Sequence, residues 1–109
     1  MTRARAITAV LAGSIFWWMV AEGRAEGDPA YGEYLANECT ACHPPDVTDG
    51  VIPPLWLLPT DYFIDALRAY RSGERENPVM QAVARALGDE EIESLAAYFA
   101  DLREQKGGS

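Results

Sequence analysis

The segment Cys39-Thr40-Ala41-Cys42-His43 constrains this chain more than any other feature. It holds both cysteines and the one histidine among the 109 residues. Two thiols three residues apart at a helix end can each add across a vinyl group of a haem, and the adjacent imidazole then reaches the iron. The motif therefore predicts one covalent haem c, attached through Cys39 and Cys42, with His43 as an iron ligand.

Three other interpretations of the motif remain open, and each lacks something. A redox-active pair of thiols would need a strand-helix-strand context and a helix N-terminus that lowers a thiol pKa, and the sequence favours neither. A zinc site would need four cysteine or histidine ligands, and the chain holds three. A disulfide between residues so close in sequence is geometrically awkward and leaves His43 without a role.

Residues 1–25 have the layout of a secretory signal peptide. Arg3 and Arg5 precede an uncharged stretch over residues 6–21, and the small residues Gly23 and Ala25 suit a signal peptidase site. The uncharged stretch is shorter than the roughly 20 residues that span a bilayer. We expect cleavage after Ala25, which leaves residues 26–109 as a periplasmic monohaem domain without membrane attachment. Retention of the segment as an anchor is the alternative.

The charge balance limits the partners of this domain. The chain carries 9 basic and 17 acidic residues, a formal net charge of −8. Loss of residues 1–25 leaves 6 basic and 16 acidic residues. Such a surface repels nucleic acid and anionic membranes and favours a basic docking partner. A domain this short also buries little apolar area, so a covalent cofactor is expected to help stabilise it.

Helical periodicity predicts an all-α fold with three to five helices around the haem. The first helix is predicted to begin at Pro29 with Asp28 as its cap, and the second to follow Thr60 as an N-cap. The sequence contains no convincing strand. The predicted helices cover about residues 29–38, the segment after Thr60 up to Ser72-Gly73, residues 79–87, and residues 89 or 90 to 103. Between the first two, residues 44–59 hold five prolines, which predict an irregular loop.

Met80 is the candidate for the second axial iron ligand. The chain has no second histidine, and Met1 and Met19 would leave with the signal peptide. Haem irons of this type take His or Met opposite the first histidine. The alternative is that Met80 only fills the core, which is the usual role of methionine. The sixth iron position would then be open.

From about Asp28 to Arg103, the chain resembles class I (mitochondrial-type) bacterial c-type cytochromes. The resemblance rests on four landmarks: Gly32 seven residues before Cys39, the Cys39-x-x-Cys42-His43 motif, the proline run ending in Leu55, and Met80 followed by a helix with Leu95-Ala96-Ala97-Tyr98-Phe99. It implies the small cytochrome c fold. It also implies that Gly32 lets the first and last helices cross closely against Tyr98 or Phe99.

A finer resemblance is to the haem subunit of flavocytochrome c sulfide dehydrogenase and related sulfur-oxidising cytochromes. The residues that carry it are Ile52-Pro53-x-Leu55, Pro59-x-x-Tyr62-Phe63, Leu67-x-Ala69-Tyr70-Arg71-x-Gly73-x-Arg75 and Val79-Met80-x-x-Val83-Ala84. The chain departs from the family at Pro44 and Leu57, where glycine is usual. The departures leave the path of the loop open.

The resemblance also implies which residues surround the cofactor. The carbonyl of Pro53 would accept a hydrogen bond from the ring of His43, although Pro53 and Pro54 could instead simply stiffen the loop. Trp56, Tyr62 and Tyr70 would wall the haem, together with Phe63, Leu67 and Val83, and core packing alone would select the same side chains.

Two arginines are candidates for a charged role at the haem. Arg71 and Arg75 are among the few basic residues of the domain, so they could neutralise the haem propionates. The alternative is that Arg71 and Arg75 only lie on a solvent-exposed face of the domain.

These observations predict single-electron transfer by a haem with His/Met ligation. One hypothesis makes the chain the haem subunit, or the electron acceptor, of a sulfur-oxidising flavoprotein dehydrogenase, with an apolar interface at Trp56, Leu57 and Leu58. A second makes it a free diffusible electron carrier that docks transiently. A third, a gas-binding haem protein, requires an open sixth position. Because no general acid or nucleophile stands out, we expect no catalytic activity from the chain alone.

Overall fold

The computed structural model describes residues 27–46 and 52–107, together with the isolated Gly13. Apart from Gly13, the predicted signal peptide lies outside these residues, so its cleavage stays a prediction. Within them the fold contains four α-helices and no strand, which confirms the predicted all-α class. The elements are α1 (Pro29–Thr40), a 3-10 turn (Leu55–Leu57), α2 (Thr60–Ser72), α3 (Pro78–Arg85) and α4 (Asp89–Gly107). None of the helices in the described ranges is long and apolar enough to span a bilayer.

Helix α1 begins where the sequence predicts. The Asp28 side chain accepts a hydrogen bond from the Ala30 N–H at 2.9 Å, and Pro29, which lacks an N–H, occupies the first turn. The helix continues to Thr40, so Cys39 lies on its last turn. The N–H groups of Cys42 and His43 both donate to the Cys39 carbonyl, at 3.2 and 2.8 Å. The end of α1 therefore brings Cys39, Cys42 and His43 close together.

Helices α1 and α4 cross in close contact at Gly32. A side chain at this buried position would overlap the carbonyl oxygen of Ser94 and meet Cβ of Tyr98. The contact to Tyr98 confirms the close crossing that the resemblance implies. Ser94 is fully buried, and its hydroxyl accepts a hydrogen bond from the Asp28 N–H at 3.1 Å. The crossing therefore has no room for a side chain larger than glycine.

The remaining helices match the predicted end of α2 at Ser72-Gly73 but differ from prediction at other ends. Thr60 is the first residue of α2 rather than its cap; Pro59 takes the cap position and makes no side-chain capping bond. Gly73 ends α2 in the left-handed conformation, with φ of 89°. Asn77 caps α3, since its side chain accepts from the N–H groups of Val79 and Met80. Helix α4 extends to Gly107, one turn beyond the predicted end.

The core lies between α1, α2 and α4. The rings of Phe63 and Phe99 pack there with centroids 5.5 Å apart, and Phe99 meets Tyr98 edge-on at 5.1 Å. The buried apolar residues are Ala36, Phe63, Leu67, Ala84, Ile92, Leu95, Ala96 and Phe99. Cys39, Leu55 and Met80 are partly buried against this cluster. The functional site therefore lies directly against this cluster.

Candidate functional site

Two adjoining cavities lie between the core and the surface. Their volumes are about 540 and 390 Å³. The residues that line both are Cys42, His43, Leu55, Phe63, Leu67, Val79 and Met80. Since these residues are common to both cavities, the two cavities form one site, which we call the slot.

His43 is fixed by its neighbour in the proline-rich loop. Its ring nitrogen Nδ1 lies 2.8 Å from the carbonyl oxygen of Pro53, so the hydrogen bond that the resemblance implies is present. A carbonyl can only accept, so Nδ1 carries the proton. The other nitrogen, Nε2, is left with the free lone pair that a metal requires. This is the bonding pattern that orients a metal-ligating imidazole.

Met80 reaches the slot from α3. The cap at Asn77 starts the helix so that Met80 lies on its first turn, where the side chain is half-buried. The structure thereby brings a histidine and a methionine, 37 positions apart in the sequence, to the walls of the same two cavities. An imidazole and a thioether are a donor pair found on haem iron.

Cys39 and Cys42 form no disulfide with each other. Cys39 is half-buried and lines the smaller cavity, whereas Cys42 is exposed and lines both. Burial, together with the nearby carboxylate of Glu38, raises the pKa of the Cys39 thiol above its ordinary value. A redox-active C-x-x-C pair needs a lowered thiol pKa. Cys39 and Cys42 also lie at and just beyond the C-terminal end of α1, where the helix dipole disfavours a thiolate, so the structure disfavours that interpretation of the motif.

The slot suits a haem in size and in chemistry. Cofactor pockets are typically about 300–1,000 Å³ and are lined mainly by apolar side chains with a few polar groups. The slot has that volume, that apolar lining, two thiols at one helix end and the His43–Met80 pair. Every group that a covalently attached, six-coordinate haem would require from the protein is therefore present at its walls.

Pro53, Tyr62 and Tyr70 line the larger cavity, where the sequence analysis expects them. Trp56 lies elsewhere: it lines neither cavity, and its indole N–H donates to the Pro45 carbonyl at 2.9 Å. The structure does not place Trp56 at the slot, because the proline-rich loop turns its ring toward the end of α4. There, Nζ of Lys106 lies 5.3 Å from the ring centroid.

Arg71 is also placed differently from the prediction. It lines neither cavity, and its guanidinium donates to the Leu87 carbonyl at 3.2 Å and to Asp89 at 2.7 Å. The hydrogen bond from Arg71 lowers the pKa of the Asp89 carboxyl below its ordinary value. Arg71 therefore joins α2 to the start of α4, and the structure does not place it at the slot.

Arg75 is the basic residue that lines the larger cavity. Its guanidinium lies 4.8 Å from the ring centroid of Tyr70 and 5.7 Å from that of Tyr62. It also donates to the Tyr62 hydroxyl at 3.1 Å, a hydrogen bond that raises the pKa of Arg75. The left-handed residue Gly73 turns the chain back on α2, which is the signal that could have separated Arg75 from Arg71 in the sequence.

The apolar surface predicted at Trp56, Leu57 and Leu58 is smaller than expected. Leu57 is 48% exposed, but the other two are half-buried. Several large apolar residues are exposed instead at the slot, and Val79 is the most open at 66%. The others are Tyr31, Ile52, Tyr62 and Val83. The exposed apolar surface thus surrounds the slot.

Comparisons with known proteins support the same chemistry. No family model matches the chain. It is 36% identical over 81 residues to cytochrome c-554(548) of Halomonas halodenitrificans, which covers 67% of this chain and 94% of that protein. It is 35% identical over 72 residues to the cytochrome subunit of sulfide dehydrogenase of Chlorobaculum tepidum, covering 65% of this chain and 66% of that protein.

A longer relative is the thiosulfate dehydrogenase electron acceptor of Stutzerimonas stutzeri. The chain is 35% identical to it over 101 residues, which cover 79% of this chain. The matched part is 46% of that protein, so the chain spans about half its length.

Proposed function

The chain belongs to the small class I c-type cytochromes, which implies a covalently bound haem c, and on that premise we propose that it transfers single electrons in the periplasm. One haem is attached through Cys39 and Cys42 and coordinated by His43 and Met80. The observation that carries this proposal is that His43 and Met80 line the same two cavities beside the motif.

Each of these residues has a separate task. The thiols of Cys39 and Cys42 would hold the haem by adding across its vinyl groups, each sulfur forming a bond to one vinyl carbon while its proton passes to the other. His43 is held by Pro53 with its free nitrogen available to the iron. A thioether opposite a histidine raises the reduction potential. With His43 and Met80 both supplied by the chain as ligands, little rearrangement would accompany a change of oxidation state.

The surroundings of the slot favour electron exchange with a protein. Val79 and the other exposed apolar residues line the slot itself, where a bound haem would cover part of them, and Arg75 is held there by two tyrosines. The net charge of −8 favours a redox partner with a basic surface. Export by residues 1–25 would place the mature domain, residues 26–109, in the periplasm.

We further propose that the electron donor is a dehydrogenase that oxidises reduced sulfur compounds, with a flavoprotein as the partner. The names of two relatives support a sulfur-oxidising dehydrogenase as the electron donor. One is named as the electron acceptor of thiosulfate dehydrogenase and the other as the cytochrome subunit of sulfide dehydrogenase.

A diffusible electron carrier is the second candidate function. The Halomonas cytochrome supports it, because the matched part of this chain covers 94% of that protein, which is named simply as a cytochrome. Purification from the native host under mild conditions separates the two: a stoichiometric flavoprotein supports the subunit, and a lone haem protein supports the carrier.

The haem ligation is tested on the exported, haem-loaded protein by optical spectroscopy. Met80→Ala should abolish the weak far-red charge-transfer band of methionine-ligated ferric haem and the low-spin state. Gln81→Ala, one residue along α3, is the matched control and should keep both. An unchanged spectrum in Met80→Ala would mean that Met80 is not an iron ligand, and would overturn the His43–Met80 ligation. Absence of haem would overturn the proposal altogether.

A further inference from the structure

The loop that holds His43 is rich in proline in its two described parts. We define its first limb as residues 43–46 and its second limb as residues 52–56. Four of these nine residues are prolines, which lack an N–H. Among the described residues, no main-chain hydrogen bond joins the two limbs. Within the two described limbs, the hydrogen bonds that join them therefore come from side chains.

Two side-chain donors connect the limbs in opposite directions. His43, on the first limb, donates through Nδ1 to the Pro53 carbonyl of the second at 2.8 Å. Trp56, on the second limb, donates through Nε1 to the Pro45 carbonyl of the first at 2.9 Å. In both cases a proline carbonyl is the acceptor, and each acceptor lies two or three residues from the donor of the other bond. The two bonds therefore act on the same short piece of chain.

The two bonds differ in their exposure to solvent. The bond from His43 to Pro53 is exposed, so water competes for both partners. The bond from Trp56 to Pro45 is partly buried. Lys106 covers it from α4, since its ammonium group lies 5.3 Å from the Trp56 ring and 3.6 Å from the Asp46 carboxylate. The indole bond is thus the better protected of the two.

We propose that Trp56 is a positioning residue for His43. By bonding the Pro45 carbonyl, its indole N–H holds the second limb against the first and keeps the Pro53 carbonyl at Nδ1 of His43. This inference rests on the proposed function, in which His43 is an iron ligand. It gives Trp56 a role through the main chain of the loop instead of a place in the wall of the slot.

The role has a measurable consequence for the ligand. The hydrogen bond at Nδ1 makes the imidazole a stronger donor and fixes the plane of its ring. If the second limb loosens, the Pro53 carbonyl leaves the ring for part of the time and solvent reaches the Nδ1 proton. The imidazole then donates less to the iron, which raises the reduction potential.

The experiment compares variants of the haem-loaded, reduced protein by nuclear magnetic resonance. Trp56→Phe keeps an aromatic ring but removes the N–H. The Nδ1 proton of His43 should then exchange with solvent about tenfold faster, the loss expected for one hydrogen bond, and the reduction potential should rise. Lys106→Gln keeps the indole N–H of Trp56 and removes only the ammonium group over its ring. It should therefore accelerate the exchange of the His43 proton in the same direction, but by less.

Ser94→Ala is the matched control. It removes another partly buried hydrogen bond between a side chain and the main chain, from Asp28 to Ser94, at the distant crossing of α1 and α4. It should leave the exchange of the His43 proton unchanged. Equal acceleration in this control, or unchanged exchange in Trp56→Phe, would overturn the positioning role while leaving the haem ligation intact. If the ring signals of His43 lack the shifts of an iron ligand in the parent protein, the proposed function itself fails.

Discussion

The crossing of α1 and α4 and the proline-rich loop over residues 44–58 are built in opposite ways. At the crossing, main chain meets main chain: Gly32 and Ser94 are buried, and Ile92 and Leu95 beside them are at most 1% exposed. In the described part of the loop, Pro53 and Leu57 are exposed.

The two regions also differ in what holds them. The crossing is held by close packing of apolar groups, which acts at every contact along both helices. The loop is held by single polar bonds from His43, Trp56 and Arg103, each worth little by itself, and by the partial burial of Leu55, Trp56 and Leu58 against the core. It follows that the crossing belongs to the fold of the chain, whereas the loop depends on a few donors and on the group that fills the slot.

Removal of the haem attachment should separate the two regions most strongly. The double variant Cys39→Ala with Cys42→Ala should lose most of the stability of the protein, which is about 5–15 kcal/mol for small domains. Thermal unfolding measures that loss. Hydrogen exchange should show residues 52–58 and α3 unprotected, while the crossing keeps some protection, because the slot would be left unfilled.

The control for this prediction lies inside the same motif. Ala41→Ser changes an exposed residue and leaves both thiols in place, so it should unfold at nearly the parent temperature. Equal loss of protection at the crossing and in the loop of the double variant would contradict the division into two regions.

The second largest effect is expected at Gly32. Gly32→Ala should lower the free energy of unfolding by about 3 kcal/mol, at the upper end of overpacking penalties, because the added carbon overlaps the Ser94 carbonyl. Gly73→Ala is the matched control: its added carbon meets open space, and its left-handed backbone costs about 1 kcal/mol. Chemical denaturation measures both. A larger loss at Gly73 would show that packing at the crossing is not close.

The scaffold could be predicted from the sequence because its signals are local or periodic. Asp28 and Pro29 mark the start of α1, and the apolar period of α4 places its buried face. The cap of α2 was mistaken because Thr60 precedes a periodic segment as a cap would. In the structure its hydroxyl instead accepts from Arg103, 43 residues along the chain. A partner so far away in the sequence leaves no local signal.

The sequence is sufficient to predict the side chains that could attach the haem and bind its iron, but not the positions of the residues around them. The motif and Met80 stand out by residue type, and both line the slot. Trp56 and Arg71 could not be placed, because each bonds a main-chain carbonyl whose position depends on the folded loops. Residue type and period carry no information on such acceptors.

Arg103 offers a test of the end of the loop. It donates to the Leu58 carbonyl at 2.8 Å and to the Thr60 hydroxyl at 3.4 Å, both partly buried. Arg103→Met keeps most of the apolar stem and should cost about 1 kcal/mol, since one buried acceptor loses its partner. Exchange at residues 55–58 should increase, with α1 unchanged. Arg85→Met, at an exposed position, is the control; a comparable loss there would assign the effect to charge alone.

The smallest effect is expected from Asp89, which joins α2 to the start of α4 through Arg71 and Arg68. The hydrogen bond from Arg71 lowers the pKa of Asp89 in the folded protein below its ordinary value of 3.8. A lowered pKa stabilises the fold above the ordinary value, and that contribution is lost as the pH falls through the folded-state pKa. Asp89→Asn should therefore lower the melting temperature slightly at pH 7, and the difference from the parent should disappear in acid.

Glu90→Gln removes the same charge from the first turn of α4 and controls for the helix dipole. A deficit of Asp89→Asn that persists in acid, or an equal deficit in Glu90→Gln, would mean that the contact with Arg71 contributes nothing. The junction of α2 and α4 would then be held by packing and by the hydrogen bond from Arg71 to the Leu87 carbonyl.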